Sequence, residues 1–89
     1  MRRRNLRIVN EKGLHARASA RFVELVEHHD ASAVVAKDGL TVSGDSIMGL
    51  LMLAASRGSS IEVTTSGAEA DQLADALEAL VADRFGEDY

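Results

Sequence analysis

The clearest periodic signal in the chain is a run of apolar residues at helical spacing near the C-terminus. The run comprises Ala70, Leu73, Ala74, Leu77, Leu80, Val81 and Phe85. Residues three and four positions apart lie on one face of a helix, so the spacing predicts an amphipathic helix of about four turns. Such a helix needs an apolar surface to cover. A chain of 89 residues has room for one core, and we expect a single domain over residues 1–89.

A second regular pattern predicts that this surface is a β-sheet. Residues 60–65 alternate Ile61 and Val63 with polar residues, which is typical of a strand with one buried face and one wet face. Gly39 lies in a tight-turn signal, because glycine tolerates positive φ. Shorter strands are predicted on both sides of that turn and near the N-terminus, at residues 6–9, 33–36 and 40–42.

Two further helices complete the predicted order. The first starts at Ala16 and ends near residues 28–30, with the inward positions Ser19, Phe22, Val23 and Val26. Ser46 is expected to cap the second, over residues 47–55, and Gly58 to terminate it. The order is then β-α-β-β-α-β-α. Because one sheet face is wet, the predicted fold is an α/β (α+β) open-faced sandwich, a four-stranded antiparallel sheet with three helices on one face.

Composition and charge disfavour several classes of function. A net charge of −4 argues against a nucleic-acid partner, because phosphate contacts need a cationic surface. The one basic cluster, Arg2-Arg3-Arg4, is interpreted as a solvated N-terminal extension, since no apolar signal segment follows it. The absence of cysteine leaves no disulfide or thiolate metal site, which favours a reducing cytoplasm. No apolar run approaches the roughly 20 residues of a membrane span.

The three histidines are not equivalent. His28 and His29 lie near a predicted helix end, where adjacent side chains diverge and a cationic ring is mildly favoured, so we interpret them as exposed capping residues. His15 instead falls at or beside the N-cap of the first helix. It follows Gly13, which frees the backbone of the preceding loop. His15 is therefore the candidate reactive residue.

The surroundings of His15 suit an anion. A helix N-terminus carries partial positive charge and unpaired N–H groups, here the amides of Ala16 and Arg17. The same field favours a neutral, nucleophilic imidazole. The guanidinium of Arg17 matches phosphate oxygens. These parts are consistent with a phosphoryl group carried on His15, although a lone histidine at a helix start is more often a cap or a surface residue.

Two segments carry a resemblance to a known family. Residues 13–17 read Gly-Leu-His-Ala-Arg, and residues 45–49 read Asp-Ser-Ile-Met-Gly. Together they resemble the HPr family, the histidine phosphocarriers of the phosphoenolpyruvate-dependent phosphotransferase system, including the nitrogen-related branch NPr. The resemblance implies that phosphorylated enzyme I donates a phosphoryl group to Nδ1 of His15, that Arg17 orients it, and that a IIA-type domain accepts it. It implies a monomeric cytoplasmic carrier without a cofactor.

The resemblance also assigns roles to the second motif. It makes Ser46 a regulatory site for HPr kinase/phosphorylase, whereas an unregulated N-cap serine is the competing interpretation. It makes Ile47, Met48 and Leu51 an apolar docking patch, whereas full burial of that helix is the alternative. Arg21, one turn beyond Arg17, is expected as a rim contact for acidic partners.

Ala18 departs from the family pattern, which usually has proline at this position. Proline in the first turn pre-sets φ and lacks an N–H, so Ala18 adds a donor at the anion site and loosens its pre-organisation. A different class of function, a regulatory interaction domain that docks through Ile47, Met48 and Leu51 without phosphotransfer, remains the alternative. A hydrolase is a third, but the sequence offers no second acid–base group and no lid. We therefore predict a stoichiometric carrier and not an enzyme.

Overall fold

The strand segments, in which buried and exposed residues alternate, form one antiparallel sheet. The computed structural model describes residues 1–89. The strands are β1 (Arg2–Arg7), β2 (Ser32–Lys37), β3 (Leu40–Ser43) and β4 (Ser60–Ser66). They lie in the order β1-β4-β2-β3. In the central register Val63 of β4 pairs with Arg4 on one side and with Val35 on the other.

Three helices cover one face of this sheet. They are α1 (Ala16–Glu27), α2 (Ile47–Met52) and α3 (Ala70–Ala82). The sheet contributes its inward residues to the core and the helices contribute their apolar faces; the largest fully buried side chains include Ile61, Val63, Val35, Phe22, Leu50, Leu73 and Leu77. The opposite sheet face carries exposed residues such as Ser60 and Glu62. The predicted open-faced sandwich is confirmed. No helix has the length and apolarity needed to cross a membrane.

The prediction for the N-terminus is wrong. Arg2-Arg3-Arg4 is not a solvated extension but most of β1, which begins at Arg2 and ends at Arg7 instead of spanning residues 6–9. Alternate residues of β1 face the helices, and there the arginines meet a row of carboxylates on α3. The pairs are Arg2 with Asp71 (3.2 Å), and Arg4 with Asp75 (2.8 Å) and Glu78. Ion pairing with carboxylates from the first turn to the middle of α3 explains how an arginine run enters a sheet.

The second helix is shorter than predicted. It ends at Met52, and the chain reverses at Ala54, whose φ is +51°, so Gly58 does not terminate it. Gly58 lies further on, with φ +90°, in the turn before β4. The reversal brings Leu53 and Ala55 into the core, and their burial outweighs the helical preference of the segment.

The third helix also ends early. Its last residue is Ala82, and both Arg84 and Phe85 adopt left-handed conformations with φ of 56° and 54°. Phe85 nevertheless has no exposed surface. The apolar pattern correctly predicts that Phe85 is buried, but Phe85 enters the core from a bend after the helix and not from the helix itself. That bend directs the C-terminal residues back across the start of α1.

Candidate functional site

His15 is held at the N-terminus of α1 by a tightly packed loop. Gly13 has φ +67°, and a Cβ there would lie 2.5 Å from the carbonyl oxygen of Ala55. The adjacent N–H of Leu14 donates to that same oxygen at 2.9 Å. Only glycine satisfies both the conformation and the close approach. His15 then takes the N-cap position in extended conformation, with φ −78° and ψ −176°.

The two ring nitrogens of His15 have different partners. Nδ1 accepts the backbone N–H of Arg17 at 3.3 Å. Nε2 is in close contact with Oε2 of Glu87. Because a carboxylate only accepts hydrogen bonds, Nε2 carries the proton and Nδ1 keeps its lone pair in the neutral ring. The protein thereby selects one tautomer, with its nucleophilic nitrogen directed at the helix N-terminus.

Glu87 is itself positioned by Asn10. The fully buried Asn10 uses Nδ2 to donate both to Oε1 of Glu87, at 2.9 Å, and to the carbonyl oxygen of Gly13, at 2.8 Å. In this orientation the buried Oδ1 of Asn10 has no hydrogen-bond partner. The two hydrogen bonds of Nδ2 offset the free-energy cost of burying that oxygen. Burial raises the pKa of the Glu87 carboxyl, but hydrogen bonds from Asn10 and His15 and attraction to His15 and Lys12 outweigh it and hold the pKa below its ordinary value.

The first turn of α1 offers free donors beside Nδ1. The N–H groups of Ala16 and Ala18 donate to no acceptor of the protein, as expected at a helix start. Three cationic side chains, those of Lys12, Arg17 and Arg21, line an open cleft of about 220 Å³ together with the C-terminal residues 86–89. The site can therefore bind an anion next to a nucleophilic nitrogen.

The second motif lies on α2, which packs against α1. Ser46 is its N-cap, with Oγ accepting the N–H of Gly49 at 3.0 Å, as predicted. Met48 and Ile47 are exposed, at 71% and 41%, whereas Leu51 is only half-buried. The expected exposed side of this helix is confirmed for two of its three residues. The exposed Met52 extends this apolar surface and was not predicted.

The remaining predicted residues also have defined places. The guanidinium of Arg21 lies against the C-terminal segment, because a Cβ at Gly86 would be 2.5 Å from its Nη1. His28 is the C-cap of α1, and its Nδ1 lies 2.7 Å from the Glu24 carbonyl oxygen, while His29 does the same with Leu25. Both histidines lie at the C-terminal end of the helix as expected, but only His28 is exposed, and His29 is half-buried. No group of three or more His, Cys, Asp or Glu side chains is arranged to hold a metal ion.

Sequence reasoning missed Asn10, Lys12 and Glu87. The segment containing Asn10 and Lys12 carried only a loop signal, and Glu87 lies in an acidic tail without periodicity. Glu87 is 72 positions from His15, so no local spacing connects them. Only the bend at Arg84 and Phe85 brings the carboxylate to the ring.

Glu87 has a pH-dependent contribution to stability that E87Q tests. Since its folded-state pKa is lowered, the contribution is present above the ordinary value of 4.5 and is lost as pH falls through the lowered value. We expect E87Q to lower the free energy of unfolding by about 1 kcal/mol near neutral pH and to match the native chain at acidic pH. Urea denaturation across this pH range measures the difference.

The neighbouring substitution D88N is the matched control. Asp88 is an exposed carboxylate of the same segment, so D88N removes the same charge without a contact to His15. A tautomer readout accompanies the stability measurement: ¹⁵N chemical shifts of the His15 ring move toward a tautomer mixture in E87Q and stay unchanged in D88N. Equal effects of the two substitutions would contradict the positioning role of Glu87.

Comparisons with known proteins show the family to which the chain belongs. A family model described as "PTS HPr component phosphorylation site" matches residues 2–83. The chain is 42% identical over 87 residues to a phosphocarrier protein HPr of Cupriavidus necator, covering 98% of each chain. It is 37% identical over 84 residues to a phosphocarrier protein NPr of Shewanella violacea, covering 94% of this chain and 92% of the relative. A crystal structure of HPr from Thermoanaerobacter tengcongensis superposes with a TM-score of 0.94 at 32% identity, covering 100% of both chains. The chain therefore belongs to the HPr family of phosphocarrier proteins of the phosphotransferase system.

Proposed function

We propose that this chain accepts a phosphoryl group from phosphorylated enzyme I on Nδ1 of His15 and passes it to a IIA-type domain. It acts as a monomeric, stoichiometric carrier in the cytoplasm, with all 89 residues forming one phosphocarrier domain. The observation that carries the proposal is the pair of contacts that the two ring nitrogens of His15 make. Nε2 contacts the Glu87 carboxylate, and the lone pair of Nδ1 points to the N-terminus of α1, where it accepts the Arg17 N–H at 3.3 Å.

The transfer step needs little movement at His15. The Nδ1 lone pair attacks phosphorus, a new N–P bond forms, and the bond from phosphorus to the leaving atom of the donor breaks with its electron pair. Positive charge develops on the ring during attack, and the Glu87 carboxylate at Nε2 stabilises it. The long 3.3 Å contact from the Arg17 N–H to Nδ1 is given up, and that N–H becomes available to a phosphoryl oxygen.

The site suits the phosphorylated ring as well. The N–H groups of Ala16, Arg17 and Ala18 are available to phosphoryl oxygens at the helix N-terminus. Lys12, Arg17 and Arg21 supply positive charge along the adjoining cleft. The free N–H of Ala18 is the donor that a proline would lack, so this chain offers one amide more than the usual family sequence.

The site is accessible to protein partners, and its one carboxylate is not placed to promote hydrolysis. The His15 side chain is 25% exposed, and the cleft beside it is open to solvent, so donor and acceptor both have access. The only carboxylate at the ring is Glu87, which is bonded to Nε2 on the side away from Nδ1. It is therefore not placed to activate a water molecule at phosphorus.

Partner docking is assigned to the exposed side of α2. Ile47 and Met48 form an apolar surface beside α1, with the half-buried Leu51 at its inner edge. An exposed methionine adapts to differently shaped partners, which suits a carrier that binds a donor and an acceptor in turn. Arg21 supplies a cationic rim on the α1 side.

Arg17 is expected to contribute strongly to the transfer rate. R17A removes a guanidinium from the phosphoryl site but keeps the backbone N–H, so we expect a 10- to 100-fold slower transfer and a folded domain. Single-turnover transfer from phosphorylated enzyme I measures the rate. R3A is the control, because Arg3 is an exposed arginine of β1 that pairs with Glu62 on the sheet. A transfer rate unchanged in R17A would contradict the assigned role.

Phosphorylation of Ser46 is proposed to weaken docking, with HPr kinase/phosphorylase as the enzyme. A phosphate there adds negative charge next to Asp45 and to the surface formed by Ile47 and Met48. We expect S46D to weaken enzyme I binding by about tenfold, and S32D, which adds the same charge at the exposed first residue of β2, to leave it unchanged. Isothermal titration calorimetry compares them. Equal affinities of S46D and S32D would remove the regulatory role.

One assay separates the carrier from the interaction domain. The chain is incubated with enzyme I and labelled phosphoenolpyruvate, then with IIA domains of the sugar and nitrogen branches. The carrier acquires acid-labile, base-stable phosphate and transfers it to one of these domains, which identifies its branch. Docking through Ile47, Met48 and Leu51 without any labelling would instead support the regulatory interaction domain.

A further inference from the structure

Three arginines without acidic partners line a second cleft. Arg7, Arg57 and Arg84 surround an open cleft of about 320 Å³ together with Ile8, Val9 and Gly58. None of the three arginines forms an ion pair or hydrogen bond with a carboxylate. This cleft shares no lining residue with the one beside His15.

The three arginines come from distant parts of the chain that the backbone holds together. The N–H of Gly58 donates to the carbonyl oxygen of Ile8, and the N–H of Ile8 donates to that of Ser59, both at 2.8 Å. These bonds fix Arg57 beside Arg7. The buried Phe85 anchors the bend that carries Arg84, and the Glu87 N–H donates to the Arg84 carbonyl oxygen at 2.9 Å.

A cluster of three unpaired arginines is unexpected in a protein with a net charge of −4. The chain has 14 acidic and 10 basic residues, and the arginines of β1 that face α3 are paired with carboxylates. Three like charges around one cleft repel one another, and Arg84 joins them from a left-handed conformation that is unfavourable for a residue with a side chain. An anion in the cleft would offset both costs.

We propose that this cleft binds a small ligand carrying two phosphate groups. The planar forks of Arg7, Arg57 and Arg84 can each bond two phosphate oxygens, and three of them match the charge of a diphosphate better than that of a single phosphate. A Cβ at Gly58 would meet nothing within 4 Å, so the backbone leaves the cleft open there. Its volume of about 320 Å³ lies in the range of small-ligand sites.

Inorganic pyrophosphate is the probe for this site. In ¹⁵N–¹H NMR titrations at low ionic strength, we expect saturable shifts of the Ile8, Gly58 and Arg84 amides, weakening as salt is raised. R57Q should reduce the affinity three- to tenfold, because one charge-assisted contact is lost. R3Q, which removes an equal charge from the outer sheet face, should leave the affinity unchanged.

Three outcomes would overturn the proposal. One is a set of shifts confined to the amides of residues 16–18, which would place the anion at the helix N-terminus only. Another is an equal loss of affinity in R57Q and R3Q, which would indicate nonspecific attraction. The third is tighter binding of hexaglutamate than of pyrophosphate at the same amides, which would assign the cleft to an acidic protein segment.

Discussion

The substitution H15A is expected to abolish phosphoryl acceptance from enzyme I. His15 supplies the ring lone pair at the N-terminus of α1, the buried Ser19 hydroxyl donates to the Leu14 carbonyl oxygen, and the free amides and cations around Nδ1 act on a group bound there. The fold survives, because loss of the N-cap acceptor for the Arg17 N–H costs about 1 kcal/mol. Labelling with phosphoenolpyruvate and enzyme I, together with the urea midpoint of H15A, separates lost chemistry from lost structure.

H28A is the matched control for this loss. His28 caps the opposite end of α1, where its Nδ1 lies 2.7 Å from the carbonyl oxygen of Glu24. H15A and H28A therefore each remove one imidazole ring, from the N-terminal and the C-terminal end of α1 respectively. We expect H28A to accept the label at the native rate. Persisting acid-labile label in H15A would exclude His15 as the acceptor.

The largest effect on stability at the site is expected for G13A. The added Cβ meets the carbonyl oxygen of Ala55 at 2.5 Å, and that oxygen cannot easily withdraw because it accepts the N–H of Leu14. The positive φ of Gly13 adds strain for a residue with a side chain. We expect a loss of about 3 kcal/mol in the free energy of unfolding, measured by urea denaturation.

G39A isolates the clash from the conformational strain. Gly39 also has positive φ, +85°, but a Cβ there would meet nothing within 4 Å. We expect G39A to cost about 1 kcal/mol, from conformation alone. If the loop instead moves to relieve the clash, G13A slows phosphoryl transfer while G39A does not. Equal stability losses and native transfer rates in both variants would contradict the role of this contact.

Most of the fold follows from patterns that one segment carries by itself. The spacing around Leu77 and the alternation at Ile61 and Val63 predict α3 and β4 because each reflects burial of one face. The errors occur where distant residues decide the local structure. The sequence of Arg2-Arg3-Arg4 alone predicts a solvated segment, because the carboxylates of α3 that pair with it are distant in the chain. Helix α2 ends earlier than predicted because Leu53 and Ala55 are buried in the core.

The site likewise has a part that local sequence predicts and a part that depends on distant residues. His15, its amides and Arg17 lie within one helical turn, so the sequence alone predicts their proximity, and the two motifs predict the family, which is confirmed. Glu87 depends on the conformation of Arg84 and Phe85 after α3, which no pattern of apolar residues specifies. The contact of Glu87 with His15 is therefore identified only from the folded structure.

The most direct test of the central claim is the position of phosphorus on the His15 ring. The chain, ¹⁵N-labelled in its histidines, is phosphorylated with enzyme I and phosphoenolpyruvate and examined by ¹⁵N NMR for coupling to ³¹P. Our account predicts coupling to Nδ1 of His15, with Nε2 still protonated and bonded to Glu87. Coupling to Nε2, or phosphate on a residue other than His15, would contradict it.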